Sequence, residues 1–115
     1  MGKILIKIDC KNHAFSSVNI NEKNQALIDV ICQEIESNEF QELKLNENIT
    51  LLCDSNVNNK DYKYGLHYKP TKVSILGNVL LAKNTPNGIS GFKNEEEGVK
   101  LCRHFLVNIV KIERE

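Results

Sequence analysis

The sequence predicts an α+β fold: a largely antiparallel sheet of about five strands with two helices packed on one face. Three observations predict it. Residues 3–9 (KILIKID) alternate Ile4, Ile6 and Ile8 with Lys3, Leu5, Lys7 and Asp9, the period of a half-buried strand. Two other stretches repeat apolar residues at helical spacing, Leu27, Val30, Ile31 and Ile35 in one and Val99, Cys102, Phe105, Leu106, Ile109 and Val110 in the other. Between them, Val73–Ala82 is the most apolar run of the chain, too short to span a membrane and bounded by Pro70 and the loop NTPNGISG.

Taken in order, KILIKID is followed by the polar link CKNH and a second strand, 14–20, which pairs with the first as a hairpin. Asn21 offers a cap and Glu22 complements the helix dipole, so a helix is expected over about 22–36. After the acidic link SNEFQEL, Lys44-Leu45 and Ile49–Cys53 form a hairpin with Asn46-Glu47-Asn48 at its tip, closed by the turn-rich DSNVNN. Residues 60–72 (KDYKYGLHYKPTK) form an aromatic and basic loop. Val73–Ala82 is then the inner strand. Gly77-Asn78 within it reads either as a bulge in a single strand, the preferred reading, or as a two-residue hairpin turn. NTPNGISG is expected to reverse the chain, and Asn94 with Glu97 three residues on makes an Asn version of the capping box for the last helix.

Length and composition suit one domain, 1–115, that buries roughly two-thirds of its unfolded surface. The lysines interrupting the first strand are unlike a secretory signal, so a cytoplasmic protein without membrane contact is expected. Four widely spaced cysteines (Cys10, Cys32, Cys53, Cys102) read as reduced thiols in the core rather than as metal ligands. Zero net charge conceals a division: from Glu22 to Asp54 there are eight acids and two bases, whereas Lys60 to Lys93 holds six lysines and one aspartate. Such polarity attracts an anionic ligand to one side or drives association of identical subunits, and a homo-oligomer is expected. Thirteen lysines, fifteen asparagines and twelve isoleucines are the usage of an AT-rich genome.

The candidate binding segment is 60–72, where Tyr62, Tyr64, His67 and Tyr68 are interleaved with Lys60, Lys63, Lys69 and Lys72. Planar rings stack on a base and ammonium groups meet phosphate, the minimum for contact with a nucleotide. The same pattern also describes an edge strand with half-buried rings and protecting lysines. Dedicated DNA binding is not expected from a neutral chain with two arginines. The loop TPNGISGFK has the glycine content of a phosphate nest, but Glu95, Glu96 and Glu97 in the first helical turn are expected to repel an anion there, leaving the Gly88 and Gly91 amides to a ligand from another side. His13, His67 and His104 lack metal or triad spacing, so no catalytic residue, metal or cofactor is expected.

KILIKID, NITLLCDSN, YGL, SILGNVLLAKNTPNG and GFKNEEE together resemble a family of small bacterial and phage proteins known only as a domain of unknown function. In that family a Pro-x-Asn-Arg-like piece follows the middle strand; here Lys69-Pro70-Thr71-Lys72 stands in its place without the arginine. The resemblance implies accessory biology on phages and mobile elements. The expected function is therefore non-enzymatic binding of a small anionic, nucleotide-like ligand, in the manner of sponge proteins that sequester immune signals. The alternative is an inhibitor that masks a host defence or transcription protein with its acidic stretch, Glu34 to Glu47.

Overall fold

The computed structural model describes residues 3–20, 26–55 and 62–114. Within them the order is β1 (Ile4–Asp9), β2 (Ala14–Asn19), α1 (Leu27–Ile35), β3 (Phe40–Lys44), β4 (Ile49–Asp54), β5 (Tyr64–Tyr68), β6 (Val73–Leu76), β7 (Val79–Thr85), β8 (Gly88–Ser90), α2 (Glu95–Val107) and β9 (Ile109–Glu113). The class is the expected one, α+β with antiparallel pairing throughout. The strands, however, form two sheets. A six-stranded sheet runs β2-β1-β7-β4-β3 with β8 added to β7, and a three-stranded sheet runs β6-β5-β9.

The helices do not share a face of the large sheet. On β1, Ile4, Ile6 and Ile8 join a core with Leu51, Val79, Leu81 and the α2 residues Cys102 and Phe105. Leu5 points the other way, into a second core with Leu52, Leu80, Ala82 and the α1 residues Ile31 and Ile35. Every residue of β4 is buried, as are the first four of β7. Strands apolar at both parities must be covered on both faces, so the helices separate, one to each. Gly98 lets α2 approach β1 closely: a Cβ there would lie 2.9 Å from Ile6 Cδ1. Each fully buried Leu or Ile contributes about 1.5–3 kcal/mol through burial.

Val73–Ala82 is neither a bulged inner strand nor a hairpin. Among the described residues β6 pairs with β5 alone, while β7 pairs with β1, β4 and β8, so the chain changes sheets at Gly77-Asn78. Gly77 has φ 84°, a conformation that side chains disfavour. The corner is fastened by three bonds: Gly77 N–H donates to Tyr64 O (2.9 Å), the Cys10 thiol to Gly77 O (2.7 Å), and Cys10 N–H to Asn78 Oδ1 (3.3 Å). Bends of this kind make the corners where strands pass between packed sheets.

Other boundaries moved for identifiable reasons. α1 begins at Leu27 behind an extended Ala26, and the expected cap at Asn21 and Glu22 lies outside the described residues, as does most of DSNVNN. The supposed acidic link already belongs to β3 from Phe40, paired with Asp54. NTPNGISG makes the β7–β8 hairpin, with Pro86-Asn87 at the turn and Gly88 at φ 119°. Ile109 and Val110 belong not to α2 but to β9, because Asn108 leaves helical geometry and its side-chain amide donates to His104 O (2.7 Å). The Asn94 cap is as expected, accepting from Glu97 N–H at 2.9 Å. Cys10, Cys53 and Cys102 are buried free thiols and Cys32 is half-buried. No helix among the described residues is long and apolar enough to cross a membrane.

Candidate functional site

The tyrosine-rich segment is the middle strand of the small sheet rather than a loop or an edge. β5 is flanked by β6 and β9, with Leu66 opposite Ile75 on one side and Lys111 on the other. Alternation therefore sends Tyr64, Leu66 and Tyr68 to one face. Leu66 is fully buried and both rings pack on the core it joins. Tyr68 lies 4.8 Å, centroid to centroid, from Phe105 and meets His104 edge-on at 6.5 Å. The Lys111 ammonium sits 5.1 Å above the Tyr64 ring, a cation–π contact. His67 faces the opposite side, with Nδ1 2.8 Å from the hydroxyl of its cross-strand partner Ser74.

The eight expected site residues therefore divide. Lys69 and Lys72 are exposed in the β5–β6 turn, Lys72 with φ 58°. Tyr62 and Lys63 precede the other end of β5, roughly 20 Å from Lys69 at the rise of an extended strand. Lys60 lies outside the described residues.

At the Tyr62 end the chain builds a cleft of about 370 Å³ whose lining includes Tyr62, Lys63, Tyr64, Asp9, Lys11, Glu36 and Asn78, two ammonium groups beside two carboxylates. Two carboxylates order its surroundings, one of them, Asp54, from behind Tyr62. Asp54, 1% exposed at the end of β4, accepts from Tyr62 OH (2.6 Å) and Ser37 Oγ (2.8 Å). Asp9 accepts from the Asn12 side chain (2.9 Å) and from the Lys11 and Asn12 amides (3.0 and 3.2 Å). These bonds, the Asn12 side chain foremost, hold its carboxyl below the ordinary 3.8. The Asp9 turn thereby fixes the backbone of Lys11 at the border of the cleft. Sequence reading missed Asp9, Lys11, Glu36 and Asn78 as lining residues; only the Asp-x-x-Asn turn chemistry of D-C-K-N signalled that Asp9 orders its neighbours.

The three buried cysteines make poor nucleophiles. Burial pushes the Cys10 and Cys102 thiols up to about 12 and raises Cys53 as well. The His67–Ser74 pair is the nearest approach to a nucleophile with its base, but it is a direct cross-strand pair on the outer face, and no carboxylate among the described residues accepts from the ring. No group of three metal-ligating side chains occurs among the described residues. Within the acidic stretch, Glu34 is paired with Lys7 at 3.1 Å and Glu42 is exposed on the edge strand β3.

These features define a two-sheet antiparallel α+β protein with a small mixed polar and aromatic cleft at the corner between its sheets. No protein-family model, no curated protein and no solved structure matches the chain.

Proposed function

We propose that the protein binds a small anionic, ring-bearing ligand of the nucleotide type in the cleft at Tyr62, Lys63 and Tyr64, without chemical conversion. The observation that carries this reading is convergence: three of the eight residues singled out in the sequence share one cleft, and Lys11 adds a second ammonium from β1's far end. Tyr62 and Tyr64 offer the parts of their rings that border the cleft, and Lys11 and Lys63 offer charge to a phosphate. Asp9 is committed to its own turn. In this reading the role is sequestration of a nucleotide-type messenger by an accessory protein, in keeping with the resemblance to small phage proteins. Self-association belongs to it too. β2 is uncharged and almost wholly exposed, and among the described residues it pairs only with β1, leaving an edge on which a second copy adds about a two-fold axis.

The test is calorimetric titration of the purified chain with mono-, di- and cyclic nucleotides, followed by denaturation and recovery of the ligand. Saturable binding, intact recovery, and weakening of about tenfold in Lys11→Gln and Lys63→Gln, or ~1.4 kcal/mol each, are the expected results. Degraded ligand would make the protein an enzyme. Absence of binding across the panel would remove the reading.

A further inference from the structure

The opposite end of the β1–β7 pair carries a second cleft, of about 480 Å³, whose lining includes Lys3, Lys83, Lys93, Ser90 and Glu97. Its lysines are far apart in sequence and are brought together by backbone pairing. Lys3 N–H donates to Phe92 O and Phe92 N–H to Ile4 O, both at 2.7 Å, which straps the start of β1 beside Lys93. Lys83 and Ser90 are direct partners in the β7–β8 ladder.

The charge arrangement is specific. Glu97 Oε1 accepts from Lys83 Nζ and from the Lys93 amide, each at 3.0 Å. Those two bonds, the amide first, hold its carboxyl below the ordinary 4.5. Glu97 is thus a carboxylate already committed to one lysine. Lys3 and Lys93 have no ion-pair partner among the described residues. Glu95 and Glu96, whose charges argued against an anion here, line a different surface of α2 with Val99, Lys100 and Arg103. Three ammonium groups against one carboxylate leave two positive charges, the complement of a dianion.

We infer that this cleft is a phosphate site, taking inorganic phosphate or the terminal group of a phosphomonoester. Lys3 and Lys93 supply the charge, Ser90 a hydroxyl donor, and Lys83 a third donor shared with Glu97. The site is separate from the tyrosine cleft and does not depend on what that cleft binds.

The experiment is a calorimetric titration of the full chain with inorganic phosphate and, separately, with methyl phosphate, at a pH where both are dianionic and at constant sodium chloride. Saturable binding of either is expected. Affinity should fall about tenfold, or ~1.4 kcal/mol, in Lys3→Gln and in Lys93→Gln. It should rise in Glu97→Gln, which removes the opposing carboxylate, and stay unchanged in Lys44→Gln, an exposed lysine of β3 outside the lining of this cleft. Binding of both anions points to a phosphomonoester, and binding of inorganic phosphate alone to the free ion. Circular dichroism confirms that each variant is folded. No saturable binding, equal affinity in the Lys3 and Lys93 variants, or displacement by matched chloride would overturn the assignment.

Discussion

Replacing Gly77 by alanine probes the corner on which the tyrosine cleft depends. Two costs can be worked out separately. At φ 84° an alanine is in left-handed backbone, which costs about 1–2 kcal/mol. Its Cβ would also lie 3.0 Å from two carbons of the Tyr62 ring, well inside the ordinary contact distance of about 3.5–4.0 Å. The ring must give way, and its hydroxyl is tied at 2.6 Å to Asp54, a carboxylate 1% exposed. Weakening a hydrogen bond to such a charged group costs up to about 1.5–3 kcal/mol. The expected loss for Gly77→Ala is therefore about 2–4 kcal/mol, read from urea unfolding curves. The Tyr62→Phe background separates the two parts, because there the tether is already cut and only the backbone cost of about 1–2 kcal/mol remains. A loss below about 0.5 kcal/mol for Gly77→Ala, the range of neutral surface changes, would refute the reasoning. So would an unchanged cost in the Tyr62→Phe background.

The buried thiols make stability fall in alkali. Cys10 and Cys102 titrate near 12 in the folded chain against 9.0 ordinarily, so above pH 9 the unfolded thiols ionise while the folded ones stay protonated. Each thiol then costs about 1 kcal/mol between pH 9 and 10, and the loss levels off near 12. Urea midpoints should drop over that interval and drop less in Cys10→Ala/Cys102→Ala; equal slopes in the two proteins would count against it. If two copies pair through β2 as proposed, Ser17→Lys, in the middle of that exposed edge, should lower the sedimentation coefficient from that of a dimer to that of a monomer, since a two-fold pairing brings the two introduced lysines near each other. An unchanged sedimentation coefficient would refute pairing through β2.

Much of the architecture was legible wherever one local rule acted alone. The first strand, the Asn94 cap and the Asn46-Glu47-Asn48 tip each depend on residues a few positions apart, and each stands where it was expected, although KILIKID is covered on both faces rather than half-buried because Leu5 enters the second core. Failures fell where a run of residues suits two structures equally. Ile109 and Val110 continue the apolar spacing of α2, yet IVKIE also suits a strand, and only the presence of β5 as a partner decides it. YGLHY was read as loop or edge because no local feature says how many neighbours a strand has; it has two.

The amino-acid sequence by itself determined which segments hide apolar side chains, that the fold is α+β, and that rings and lysines crowd into residues 60–72. Only the tertiary structure decided that the helices take opposite faces, that the chain changes sheets at Gly77, and that Lys3, Lys83 and Lys93 border one cleft. The division has a physical cause: side-chain periodicity and capping act over one or two turns of chain, whereas sheet order is set by backbone hydrogen bonds between strands whose separation in sequence carries no local mark.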